Sequence, residues 1–230
     1  PPRAGFGALA DSTFRGYWIV SWISSTGDGM ENVIRNWLVL QLAGEAAPLW
    51  LGLLVFAHWM PFTFFSLGGG VLADRYDNRK LQILAQILLF VAAVGVAVAT
   101  LTGMVTLWWM FGLLLIHGLA GAIGGPAQQT LIHSIVGPER LVSAISVNNA
   151  ARQLSQVIGP AIAGLILVTF GAGWGFLVNA LTFLPLLVFL ALIRVRRRGG
   201  VPLSQPMLPA LAEGMKFVRG RPRVAGLISA

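Results

Sequence analysis

The sequence predicts an all-α integral membrane protein, a six-transmembrane-helix bundle. Three observations lead there. First, 56% of the 230 residues are hydrophobic and only 10% are charged, with a mean hydropathy of +0.77. Soluble domains carry about 25% charged residues. A globular core cannot hide this much apolar surface, whereas a bilayer can. Second, six apolar runs approach the roughly 20 residues that a helix needs to cross a membrane. They lie at about 17–41, 49–72, 81–101, 105–126, 142–170 and 174–193. Third, basic residues crowd into alternate connections, as the positive-inside rule requires of cytoplasmic loops.

The first run, 17–41, is the most polar, with "STGDGMENVIRN" at its middle. Asp28, Glu31 and Arg35 are spaced i, i+3, i+7 and share one helix face, with Asn32 and Asn36 beside it. A charge at membrane depth costs about 2.5–3.5 kcal/mol on insertion scales. Such residues persist when they are paired or line a water-filled pathway. An acid beside a base in a low-dielectric site can titrate near neutral pH, which a proton-coupled carrier requires. The alternative is a structural ion pair fastening the first helix to its neighbours.

The second run, 49–72, carries no Lys, Arg, Asp or Glu from Leu49 to Leu67, and closes on Gly68, Gly69 and Gly70. These glycines let helix backbones approach closely. The third run, 81–101, is plainly apolar. The fourth, 105–126, contains His117 in "LLLIHGLAG". His117 is a candidate proton carrier or a hydrogen-bonded core residue. Gly118/Ala122 and Gly121/Gly125 in the same run permit tight helix crossing. His58 and His133 read as structural.

The fifth run, 142–170, opens with "SVNNAARQLSQ". Asn149, Arg152 and Gln156 fall at helical spacing and are expected to line a cavity opposite the first span. The alternative is that the first turns of this helix project into the cytoplasm. Gly159, Pro160 and Gly164 read as packing and kink residues, because Pro160 removes a backbone hydrogen bond. The sixth run, 174–193, completes the bundle. The pairs Trp108–Trp109 and Tyr17–Trp18 fall at expected membrane interfaces and read as anchors.

The connections 42–48, 102–104 and 171–173 contain no Lys or Arg. Arg75, Arg79, Lys80 and Arg140 lie in the other two, Arg3 and Arg15 precede the first span, and eight basic residues follow the sixth. Both ends of the chain are therefore expected in the cytoplasm, which requires an even number of crossings. The net charge of +8 is then a set of topology anchors beside lipid headgroups, and no nucleic-acid partner is expected. The organisation expected is a transmembrane domain over 1–198 and a cytoplasmic linker over 199–223. The linker holds a short amphipathic helix through Leu211, Met215 and Val218. The start of a seventh helix follows over 224–230. The sequence begins with Pro1 and turns apolar again at Val224, so it reads as the first half of something larger.

The bend between the second and third runs, "GVLADRYDNRK", resembles the signature loop of the major facilitator superfamily, G-x-L-A-D-R-x-G-R-[RK]-[RK]. Gly70, Leu72, Ala73, Asp74, Arg75, Arg79 and Lys80 match. Asp77 stands where many members have Gly, and Asn78 where many have Arg. The Asp variant, with "GPERLVSAISVNNAARQ" and "GPAIAG", is similar to the branch holding siderophore (enterobactin-type) exporters and macrolide efflux proteins. The resemblance implies the N-terminal half of a 12-helix fold, built as two inverted repeats of three helices. It implies a secondary transporter of the bacterial inner membrane, exporting a small organic molecule by alternating access. The implied partners are the lipid bilayer, the substrate, protons and a C-terminal six-helix half. Gly70, Asp74, Arg75, Arg79 and Lys80 are implied to latch the two halves. In proton-coupled members an Arg stands where His117 falls, between Leu113 and Gly121. Gly159, Pro160 and Gly164 resemble part of G-x-x-x-G-P-x-x-G-G, with Ser155 in place of its first Gly.

An enzyme would need a nucleophile with a base, or metal ligands. G-x-S-x-G, H-E-x-x-H and G-x-x-x-x-G-K-[ST] are all absent, as is cysteine. No catalytic residue, metal or cofactor is expected. The rival reading is a non-transporting six-helix receptor or assembly partner.

Overall fold

The structure is a computed structural model that describes residues 7–193. The expected linker at 199–223, the seventh-helix start at 224–230 and Arg3 lie outside the described residues. Six α-helices run in order: α1 (Ser12–Ala43), α2 (Ala47–Arg75), α3 (Asn78–Leu101), α4 (Leu107–Val136), α5 (Leu141–Thr169) and α6 (Ala172–Leu192). No strand occurs among the described residues.

Local chemistry fixes the ends. Asp11 caps α1, its Oδ1 accepting from the backbone N–H groups of Thr13 and Phe14 at 2.9 and 3.0 Å. Asp77 caps α3 in the same way, accepting from the N–H of Arg79 at 2.9 Å. Its φ of −69° is ordinary, so the position does not need the glycine found in the family loop. Gly137, with φ 74°, ends α4 in a conformation that L side chains rarely adopt.

Two boundaries differ from expectation. The α4 helix passes through Pro126 and continues ten residues beyond it, to Val136. Proline frees only the carbonyl four residues back, here that of Ala122, and that carbonyl lies directly against Gly69 of α2. Beyond the proline, Thr130 and Ser134 hydroxyls donate back to Pro126 and Thr130 carbonyls at 3.1 and 2.9 Å. At the other end of the bundle, α1 and α2 are separated only by the 3₁₀ turn Gly44–Ala46. By length and composition five stretches can cross a membrane, and the first, Ser12–Phe65, merges α1 with most of α2 in 54 residues.

The principal packing partners are α2 with α4, α3 with α6, α1 with α5, α1 with α6, and α3 with α4. Exchanging α1 with α4, α2 with α5 and α3 with α6 leaves this set unchanged. The three-helix unit is thus used twice, with the same neighbours. The main core gathers Met30, Ile34, Leu38, Leu54, Val96, Met110, Leu113 and Phe176 from five of the helices. Large apolar side chains also cover the outside, among them Phe64, Trp108, Val157 and Val168, as a hydrocarbon surround allows. Tyr17, expected as an interface anchor, is instead fully buried against Phe189, while Trp18 donates its indole N–H to the Val147 carbonyl at 3.2 Å.

Glycines make two equivalent seams. A Cβ on Gly29 of α1 would stand 2.7 Å from the Ser155 carbonyl oxygen of α5, and one on Gly159 would stand 2.8 Å from the backbone of Gly29 and Met30. On the other side, Gly118 of α4 lies directly against the His58 carbonyl of α2. Nothing lies within 4 Å of the equivalent points on Gly70, Gly125 or Gly164, and only Phe62 reaches that of Gly121. Gly159→Val is therefore expected to cost about 1–3 kcal/mol, since backbone cannot move aside cheaply. It should lower the thermal unfolding temperature in detergent, whereas Gly164→Ala should leave it unchanged or slightly higher.

Candidate functional site

The seam between α1 and α5 sets the rotation of α1, and with it the direction of its charged residues. Gly29 and Gly159 face each other there, joined by a hydrogen bond of 3.1 Å between the hydroxyls of Thr26 and Ser155. Glu31 then points into the bundle and is 1% exposed. An ionised carboxylate in that position needs donors and opposite charge. Its Oε2 accepts from Asn179 Nδ2 of α6 at 2.7 Å. Its Oε1 lies 3.5 Å from Arg35 Nη1, one turn along the same helix, and 3.7 Å from His117 Nδ1 of α4.

The other ring nitrogen of His117, Nε2, lies 3.7 Å from Asp28 Oδ1. The imidazole is thus held between two carboxylates of α1, one at each nitrogen. These are ion-pair separations, too long for hydrogen bonds, and His117 Nδ1 has no hydrogen-bond partner. Arg35 also donates from Nη2 to Asn32 Oδ1 at 3.1 Å, and Asn36 donates to the same oxygen at 3.0 Å. Asn32 and half of the Asp28 side chain are open, so the cluster runs from a sealed end at Glu31 to an accessible end. Two carboxylates and one guanidinium leave one negative charge, which a proton on His117 cancels. The cluster is thus neutral with His117 protonated and carries one negative charge without that proton.

Asn179 was not singled out in the sequence, and it is fully buried. The signal was a lone amide in "FLVNALTF", costly in lipid unless satisfied. Space for it comes from Gly27, where a Cβ would stand 2.5 Å from Asn179 Oδ1. Thr182 donates to the Asn179 carbonyl at 2.7 Å. His58 of α2, read from the sequence as structural, lies beside His117 with ring centroids 6.3 Å apart. Gln82 of α3 is buried and donates to the Gly124 carbonyl, a further polar residue that spacing alone did not reveal.

The α5 residues stand apart. Asn149, Arg152 and Gln156 are exposed and form no hydrogen bond or ion pair with the cluster. The buried row is a neighbouring strip of the same helix that includes Val147, Ser155 and Gly159, which meet Trp18, Thr26 and Gly29 of α1. Pro160 lies within the continuous α5 helix, and Gly164 is exposed.

In the charged bend, Asp74 is exposed in the last turn of α2, and Asp77 caps the N-terminus of α3. Arg75 and Lys80 are exposed, and Gly70 is partly open. Arg79 turns back to the end of α6, donating from Nε to the Leu190 carbonyl and from Nη2 to the Ala191 carbonyl at 2.6 Å. No group of three or more His, Cys, Asp or Glu side chains suited to a metal ion occurs among the described residues.

Comparison with known proteins relates the chain to a family and to curated relatives. The family model described as transmembrane secretion effector matches residues 3–228. The chain is 29% identical over 204 residues to the enterobactin exporter EntS of Shigella flexneri, covering 83% of this chain and 48% of that protein. It is 30% identical over 202 residues to the proteins of the same name from Shigella boydii serotype 4 and Escherichia coli O1:K1, covering 82% of this chain and 47% of each. The chain thus spans about half the length of the curated relatives it matches. No solved structure matches it. With its apolar helices, this makes it a multi-pass protein of the bacterial inner membrane. The chain belongs to the transmembrane secretion effector family of the major facilitator superfamily, a family of transporters and not of enzymes.

Proposed function

We propose that this chain forms the N-terminal half of a secondary transporter that exports a small organic molecule by alternating access, driven by protons. The observation that carries the reading is the imidazole of His117 held between the carboxylates of Asp28 and Glu31. It sits on two helices, α1 and α4, that occupy the same place in the repeated three-helix unit. The relatives are named as enterobactin exporters, so a siderophore is the first substrate to test, with macrolides second.

Six crossings are part of the proposal. The 54 residues of Ser12–Phe65 would extend about 80 Å as helix, against a hydrocarbon core of about 30 Å. That stretch therefore makes two crossings, with the turn at Gly44–Ala46 between them. Each three-helix unit then crosses an odd number of times, so the second starts from the opposite side and the repeats are inverted. Arg75, Arg79, Lys80 and Arg140 put the α2–α3 and α4–α5 bends, and both ends of the bundle, in the cytoplasm. Asp74, exposed beside the bend, is placed to meet a helix N-terminus of the C-terminal half and act as the latch.

Proton coupling works by charge balance. With His117 protonated the cluster is neutral and α1 and α4 are drawn together. Loss of that proton leaves an uncompensated carboxylate, which favours opening Asp28 to water. The exposed Asn149, Arg152 and Gln156 on α5 border the substrate path.

Two experiments test the reading. In vesicles of the full-length protein, an imposed pH gradient should drive enterobactin flux. Asp28→Asn or Glu31→Gln should lower that flux by roughly tenfold or more, while exchange at equal pH continues. Undiminished pH-driven flux in both variants removes the cluster from the coupling role. For topology, single cysteines at Glu45, Met104 and Phe170 should react with an impermeant maleimide added outside intact cells, and those at Tyr76 and Glu139 should not. The reverse pattern overturns the orientation.

A further inference from the structure

The α2–α4 seam fixes more than a packing distance. Gly118 follows His117 directly, and its missing side chain is what lets the His58 backbone lie against it. Pro61 of α2 lies 3.2 Å from the same point on Gly118. The contact is backbone to backbone, so the two histidines are held in register by parts of the molecule that cannot relax around a rotamer. Their rings come to rest with centroids 6.3 Å apart and planes inclined at 44°. His58 Nδ1 and His117 Nδ1 are both shielded and lack hydrogen-bond partners. The ring of Trp59, the next residue, meets that of His58 edge to face with centroids 5.4 Å apart.

We propose that His58 and His117 form a pair that holds a single proton, which makes His58 a second proton-carrying residue of the pathway. The inference rests on the proton-coupled reading above and adds a residue to it. Two imidazolium rings at this separation repel strongly in a low-dielectric surround, so the doubly protonated state is suppressed. The groups facing the pair are Asp28, Glu31 and Arg35 from α1; the acids favour the proton on His117, and Arg35 opposes a second one. Transfer breaks one N–H bond on His117 and makes one on His58, through a single bridging water. His117 leaves neutral, His58 becomes the cation, and the total charge is unchanged. In this way the proton moves from α1 and α4 onto α2 without crossing lipid as a free ion.

The test is a titration of the ring nitrogens in the purified full-length protein, labelled with ¹⁵N-histidine and followed by NMR. It needs no substrate and no transport. In coupled sites each titration belongs to the pair, and the coupling must be reciprocal. His58→Gln should change the proton affinity of His117 by roughly threefold or more, about half a pH unit. His117→Gln should change that of His58 by the same factor. His133→Gln should change neither. His58→Asn replaces the first variant if it fails to fold, as judged by its unfolding temperature. Identical His117 titrations with and without His58, or an effect in one direction only, overturn the pair. Failure of pH-driven flux in the parent would remove the transport reading while leaving this result standing, so the two can fail separately.

Discussion

The structure depends on backbone meeting backbone along two seams, α1 with α5 and α2 with α4. Gly29 rests on the Ser155 carbonyl and Gly118 on the His58 carbonyl, and no side chain intervenes at either. In lipid there is little hydrophobic drive to bring helices together, so close packing through small residues supplies the association. These contacts are equivalent under the exchange that relates the two halves of the bundle. The residue before each glycine is the one that matters chemically, Asp28 in one unit and His117 in the other. A repeated scaffold therefore presents an acid and a base to each other at 3.7 Å. Their opposition follows from where the glycines stand.

Around that pair the polar groups are graded by access. Glu31 is sealed and satisfied by Asn179, a neutral donor that lets the carboxylate stay buried without fixing its charge state. Arg35 is shared between Glu31 and Asn32, and so belongs to both the closed and the open end. A buried ion pair is weak support for stability, because desolvation opposes the attraction. Pairing alone is therefore a weak account of why these ionisable groups stand together, and the proposed proton pathway supplies another.

The charged stripe on α1 was legible because i, i+3, i+7 spacing fixes a face regardless of tertiary context. The family was legible in the bend, where seven positions match. Asn179 and His58 were not legible, since a lone polar residue in an apolar helix has no spacing to read and its partners lie on other helices. Position 77 departs from the family loop for a local reason. Glycine in the family loop suggests a left-handed turn, but here the backbone is extended and the aspartate side chain caps the next helix. The α4 helix outruns the fourth apolar run, through Pro126, because proline withdraws only one donor. Adjacent positions on α5 have different surroundings, Ser155 buried beside Thr26 of α1 and Gln156 exposed, and periodicity alone does not show what each row meets.

The grip of Arg79 on the last carbonyls of α6 divides the cations of the bend into two kinds. A guanidinium whose donors already complete a helix end is a fixture of the N-terminal bundle and is poorly placed to bind a lipid phosphate or a carboxylate from elsewhere. A lysine at that position would keep the charge but lose the planar fork that meets two carbonyls at once. Residue 79 therefore ties the start of α3 to the exit of α6, whereas its neighbours Arg75 and Lys80 are more exposed.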